Sequence, residues 1–80
     1  MNKFYDLALV DKCSGAMLAT WAGLECSFKE ALLNLMKRAE GKIPPAVHNL
    51  ITLNIETAGG ALPDSRYGYV IRSMSEVKNF

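Results

Sequence analysis

The sequence predicts an α+β fold, a two-layer sandwich of order ββαββ in which a four-stranded, mainly antiparallel sheet carries one helix on one face. Three observations predict it. Apolar residues alternate along segments near both ends of the chain, as in strands, and a central segment has the apolar spacing of an amphipathic helix. The chain of 80 residues, of which 50% are hydrophobic, is long enough for one packed domain over residues 1–80 and too short for two.

A β-hairpin is predicted at the start of the chain. Residues 4–11 alternate, so one face of a strand carries Tyr5, Leu7 and Leu9 and the other carries Phe4, Asp6, Ala8 and Val10. The segment KCSG then supplies turn residues, with Gly15 free to take a positive φ, and residues 16–24 return as the second strand.

The helix is predicted over residues 28–40. Ser27 and Glu30 have the spacing of a capping box, in which each side chain bonds to a backbone N–H at the start of the helix. Gly41 suits the left-handed position after a helix, and Pro44 and Pro45 prevent its continuation. We expect this helix to cover the sheet with one apolar face, made of Phe28, Ala31, Leu32, Leu35, Met36 and Ala39.

Two further strands are predicted after the helix. In residues 49–57, Ile51, Leu53 and Ile55 alternate with polar residues and are expected to face the core. Residues 58–66 have the composition of a loop, residues 67–74 form the fourth strand, and residues 75–80 form a short tail that we expect to be partly mobile.

Charge and hydropathy exclude several classes of protein. The formal net charge is +1, which argues against a dedicated nucleic-acid binder, because such proteins gain affinity from cations that neutralise phosphates. The uncharged runs over residues 13–24 and 43–55 are shorter than the roughly 20 apolar residues of a membrane span. Asp6 lies where a signal peptide would have its hydrophobic region. We expect a cytoplasmic protein with no membrane association.

No pattern of residues predicts an enzyme, a metal site or a cofactor. His48 is the only histidine and no nucleophile motif accompanies it, so we expect a structural role for it. Cys13 at the tip of the hairpin and Cys26 beyond its open end would lie on the order of 30 Å apart, too far for a disulfide. Two cysteines and one histidine also fall short of a zinc site. We expect reduced cysteines, no metal and no cofactor.

Two groups of residues predict binding to another protein. Tyr and Arg often dominate the energetics of interfaces, and one segment groups Arg66, Tyr67, Tyr69 and Arg72. The two tyrosines equally fit the core, and that alternative stays open. Because one helix covers only one face of a sheet, the other face needs a cover, and its residues include Phe4, Ala8, Val10 and Val70. A homodimer or a protein partner would supply it, with the loop over residues 59–66 as a further contact.

The hairpin and the helix contain a series of short motifs in a fixed order: a strand, a turn with glycine, a second strand, a capped helix start and an exit with glycine, isoleucine and proline. The positions that carry it are Gly15, Ala19, Gly23, Leu24, Ser27, Glu30, Ala31, Leu32, Gly41, Ile43 and Pro44. In this order the first half of the chain resembles the N-terminal part of HicB-type antitoxins, with Ala22 in place of the family's proline, a shorter segment between strand and helix, and no DNA-binding C-terminal domain. The resemblance implies a non-catalytic protein that neutralises a small RNA-cleaving toxin by covering it, without a role as its own repressor.

The sequence therefore predicts a small non-enzymatic protein-binding module of the inhibitor, antitoxin or adaptor kind, with a toxin or a nuclease as the expected kind of partner. Two alternatives stay open. One is an inhibitor of a host defence nuclease, encoded by a phage or another mobile element. The other is a module for single-stranded nucleic acid, since a platform of aromatic residues needs few charges; its residues would be Arg66, Tyr67, Tyr69 and Arg72.

Overall fold

The computed structural model describes residues 2–59 and 66–76 and has an α+β architecture, as predicted. In these ranges the chain forms three strands, β1 (Lys3–Asp11), β2 (Met17–Glu25) and β3 (Tyr67–Glu76), and two helices, α1 (Phe28–Arg38) and α2 (Pro45–Ala58). The sheet order is β2-β1-β3, and both pairings are antiparallel. For the described residues the prediction of four strands and one helix is wrong, because α2 replaces the predicted third strand.

The β1–β2 hairpin is present as predicted. Its turn is closed by a hydrogen bond from the backbone N–H of Asp11 to the carbonyl of Ala16 at 2.9 Å, and by one from the N–H of Gly15 to the carbonyl of Asp11 at 2.7 Å. Gly15 has a φ of +76°, a conformation that favours glycine. Cys13 lies in this turn and Cys26 follows β2, so the hairpin places the two exposed, free cysteines at opposite ends.

Helix α1 begins at the predicted residue and ends at Arg38, short of the predicted Glu40. The side-chain oxygen of Ser27 accepts a hydrogen bond from the backbone N–H of Glu30 at 3.2 Å, which satisfies one of the unpaired donors of the first turn. Gly41 follows with a φ of +79°. The predicted apolar face is confirmed: Phe28 is half-buried, and the buried residues are Ala31, Leu32, Leu35, Met36 and Ala39.

The predicted strand over residues 49–57 is wrong, because this segment lies in α2. Pro45 starts the helix. Its fixed φ suits this position, and the N–H that proline lacks would have no hydrogen-bond partner within the helix there. Gly59 ends it with a φ of +75° and donates its N–H to the carbonyl of Ile55 at 3.0 Å. Ile51 and Ile55, four residues apart, are buried on one side of the helix, whereas Leu53 is 55% exposed and not in the predicted core position.

The core lies between the two helices and one face of the sheet. Its buried members include Tyr5, Leu7 and Leu9 of β1, Leu32, Leu35 and Met36 of α1, Ile51 and Ile55 of α2, and Tyr67 of β3, whereas β2 adds only partly buried residues, Leu18, Ala19 and Trp21. The ring of Phe28 lies 5.9 Å from that of Tyr5 and 5.5 Å from that of Tyr69, centroid to centroid, and so joins α1 to two strands. Both helices therefore belong to one side of the sheet.

Two predicted features fall outside the described residues. The predicted contact loop spans residues 59–66, and residues 60–65 of it are not described; the same holds for residues 77–80 of the predicted tail. Ser75 and Glu76, which were predicted to belong to the tail, lie in β3.

Candidate protein-binding face

The side of the sheet turned away from the helices is the first candidate site. Alternation along β1 and the register of its two neighbours place seven apolar residues there. One is Ala22, opposite Asp6, and we call the other six the open face: Phe4, Ala8, Val10, Met17, Leu24 and Val70. Leu24 lies opposite Phe4, Met17 opposite Val10, and Val70 opposite Ala8. Cross-strand pairs of this kind bring side chains into contact on one face of a sheet.

Much of the open face is accessible to solvent. Met17 is 57% exposed, Leu24 is 52% exposed and Val70 is 45% exposed, while Phe4 and Val10 are half-buried. Ala8 has no exposed surface, because its small side chain lies in the central strand among larger neighbours. Within residues 2–59 and 66–76, no helix or strand covers these residues.

A polar pair interrupts the apolar surface. The carboxylate of Asp6 lies 3.5 Å from Nε of Arg72, and Nη1 of Arg72 lies 3.9 Å from the sulfur of Met17. The β1–β3 pairing is irregular beside this pair: Leu7 pairs with Ile71 and Asp6 with Ser73, which leaves Arg72 as the extra residue of a bulge, two residues after Val70. Asp6 and Arg72 thus place charges of both signs on the open face, and the side chain of Lys12 lies beside Gly68 on the same side of the sheet.

Arg66 belongs to a different cluster, at the end of the sheet that holds the hairpin turn. Its Nη2 and Nε donate to Oδ2 of Asp11 at 3.0 and 3.2 Å, and Oδ1 of Asp11 accepts the backbone N–H of Cys13 at 2.9 Å. The hydrogen bond from Arg66 holds the pKa of the Asp11 carboxyl below its ordinary value, against the opposing effect of burial. This arrangement ties the start of β3 to the turn, so Arg66 is positioned by the fold itself.

The two tyrosines of the predicted site lie on the helix side of β3. Tyr67 is 7% exposed and belongs to the core, and Tyr69 is half-buried against Phe28. The structure therefore does not bring Arg66, Tyr67, Tyr69 and Arg72 to one surface. Of the seven residues predicted to bind a partner, it brings four to the same face of the sheet, namely Phe4, Val10, Val70 and Arg72.

Sequence reasoning missed two residues of the open face, Met17 and Leu24. Alternation along β2 could have identified Leu24, because Thr20, Ala22 and Leu24 are alternate residues of this strand and point to the same face. Met17 is harder, because the pairing shifts between Leu9 and Val10 and breaks the alternation at this end of β2.

His48 makes a contact between the two helices, and the described residues contain no metal-binding cluster. Nε2 of His48 lies 2.7 Å from the carbonyl oxygen of Met36, so the imidazole links α2 to α1 in the structural role expected of it. No set of three or more His, Cys, Asp or Glu side chains among the described residues is arranged to hold a metal ion. Neither α1 nor α2, the helices in those ranges, is long and apolar enough to span a membrane.

Comparison of the chain with protein-family models, with curated proteins and with solved structures found no match. The resemblance to HicB-type antitoxins therefore stays a prediction from the sequence. What the structure itself defines is a small α+β domain with one covered and one open sheet face.

Proposed function

We propose that this protein is a small non-enzymatic protein-binding module that associates through the open face, with a second copy of the chain as the first partner. The observation that carries the proposal is the exposure of Met17, Leu24 and Val70 on the side of the sheet opposite both helices. Large contiguous apolar surfaces on soluble domains are often interaction sites.

Energetics favour a cover for this face. Burial of apolar surface contributes about 25 cal/mol per Å², so a few hundred Å² contribute several kcal/mol before the entropic costs of association. The Asp6–Arg72 pair favours a second copy, because a face that holds charges of both signs can be complementary to itself. In a two-fold dimer the same patch meets itself, so Asp6 and Arg72 can pair across the interface as well as within one copy.

A partner of different sequence, such as a toxin or a nuclease, is the alternative occupant of the open face. Binding of single-stranded nucleic acid has less support, because its stacking platform would need Tyr67 and Tyr69, which pack on the helix side.

Two neighbouring residues of β3 give a matched test. Val70 is 45% exposed and Ile71 is 46% exposed, but Val70 pairs with Ala8 on the open face and Ile71 pairs with Leu7 on the helix side. Sedimentation of the unaltered protein over a concentration series should show a monomer–dimer equilibrium. Val70→Ser should weaken dimerisation by about tenfold or more, since a two-fold dimer loses the side chain twice, whereas Ile71→Ser should leave it nearly unchanged.

Val10→Ser should also weaken association while the monomer stays folded, as judged by circular dichroism. A monomer at every concentration would exclude the second copy as the occupant. Equal weakening by Val70→Ser and Ile71→Ser would show that the open face is not the interface.

A further inference from the structure

A groove lies between α1 and α2, and the open face plays no part in it. It has a volume of about 520 Å³, and its apolar part consists of Leu33, Met36 and Leu53. Leu53 is 55% exposed, so folding of the described chain leaves this side chain largely in water. Leu33 is half-buried and lies beside the apolar stripe of α1, where it contacts the core and also lines the groove.

Charged side chains line the same groove. They are Glu30, Glu40, Glu56 and Lys37, which give it a net charge of −2. None of the four forms an ion pair with another residue in the described ranges, and the groove is acidic although the whole chain has a net charge of +1. An acidic border around one exposed leucine, Leu53, and one half-buried leucine, Leu33, is complementary to an aliphatic stripe flanked by cations.

The shape of the groove specifies the form of its occupant. The residues that line the groove extend from Glu30, in the first turn of α1, to Glu40, just beyond its end, a span of roughly 15 Å at ~1.5 Å per residue. A helix of about three turns has that length. Amphipathic helices bind such grooves by inserting apolar residues spaced three and four apart.

We infer that the α1–α2 groove binds an amphipathic helix of a partner protein, about three turns long, with an aliphatic stripe flanked by Lys and Arg. The inference does not depend on dimerisation, because the groove and the open face lie on opposite layers of the fold. The proposed dimer would present two equivalent grooves, one in each copy, to such helices.

Two synthetic peptides provide the probe. Each has about 18 residues, which is long enough for appreciable helicity, and carries leucines at helical three-to-four spacing; one has Lys at the flanking positions and the other has Glu. Fluorescence anisotropy measures their binding to the full chain. The Lys peptide should bind about tenfold or more tightly than the Glu peptide at low ionic strength, and the difference should shrink as salt is added.

The helix α2 offers a matched pair of variants. Leu53 lines the groove and Leu50 does not, yet both are 55% exposed on the same helix. Leu53→Gln should weaken binding of the Lys peptide by about tenfold to a hundredfold, the range expected for a leucine that becomes buried, and Leu50→Gln should change it by less than about twofold. Glu56→Gln should reduce the preference for the Lys peptide.

Three outcomes would overturn the inference: no binding of the Lys peptide up to about millimolar concentration, equal affinities for the Lys and Glu peptides, or equal losses in Leu53→Gln and Leu50→Gln. The Val70→Ser variant separates this inference from the proposed function. It should bind the Lys peptide with unchanged affinity even when it no longer dimerises.

Discussion

The second helix can be tested with two substitutions, because a helix and a strand place Leu53 and Ile55 differently. In α2, Ile55 is fully buried and Leu53 is 55% exposed, whereas a strand would turn both side chains to one face. Ile55→Val removes one buried methylene, and we expect it to lower the free energy of unfolding by roughly 0.5–1.5 kcal/mol. Leu53→Ala removes a largely exposed side chain and introduces the best helix former, so its effect should stay within about 0.5 kcal/mol.

Urea unfolding followed by circular dichroism measures both effects, at a protein concentration low enough to keep the chain monomeric. With a urea dependence of about 1 kcal/mol per M, Ile55→Val should lower the midpoint by roughly 0.5–1.5 M and Leu53→Ala should move it by about 0.5 M at most. If Leu53→Ala costs as much as Ile55→Val or more, the reasoning about α2 is refuted.

Three further changes test local features. Ser27→Ala removes the acceptor for the N–H of Glu30 and should cost roughly 0.5–2 kcal/mol in urea unfolding, while Ser27→Asp should retain most of the stability. Gly59→Ala places a side chain at a φ of +75° and should cost about 1 kcal/mol; no loss would argue against this end of α2. The pKa of Asp11 is lowered in the folded state by its hydrogen bond from Arg66, so the stabilisation is complete above the ordinary value of 3.8 and is lost as pH falls through the lower folded value. Thermal unfolding between pH 7 and pH 2 should therefore show a steeper acid loss for the unaltered protein than for Asp11→Asn, and parallel curves would contradict this.

The elements that the sequence predicts correctly have signals that are local. Ser27 marks the start of α1 and Gly41 lies shortly after its end at Arg38. The hairpin follows from alternation on either side of the turn at Gly15. For the open face, alternation along β1 is enough to group Phe4 with Val10. These features need only neighbours in sequence, so a single sequence contains them.

Helix α2 was missed because two patterns coincide in it. Ile51, Leu53 and Ile55 alternate like a strand and are rich in β-branched side chains, but Ile51 and Ile55 also have the four-residue spacing of a helix face. A proline after a helix predicts the end of that helix, but it equally suits the first turn of the next helix, which is the position of Pro45 in α2. The helix is favoured because it buries both isoleucines against α1, and this contact depends on the tertiary structure.

The sides of the last strand also depend on tertiary contacts. Alternation groups Tyr67 with Tyr69 but does not say which side faces the helices, and the pairing with β1 resolves this. Alternation places Arg72 on the same side of the strand as Val70, and the structure agrees. The residue pattern does not indicate the bulge at Arg72, which puts Met74 opposite Tyr5 on the helix side.

The central claim is that a second copy of the chain covers the open face, and isotope-filtered nuclear Overhauser spectroscopy tests it most directly. An equal mixture of ¹³C-labelled and unlabelled protein, concentrated enough to dimerise, should show intermolecular contacts among the methyl groups of Val10, Met17 and Val70. Leu32, which is fully buried, should show none. Absence of intermolecular contacts at the open face, or contacts confined to the helix side at residues such as Leu50, would contradict the claim.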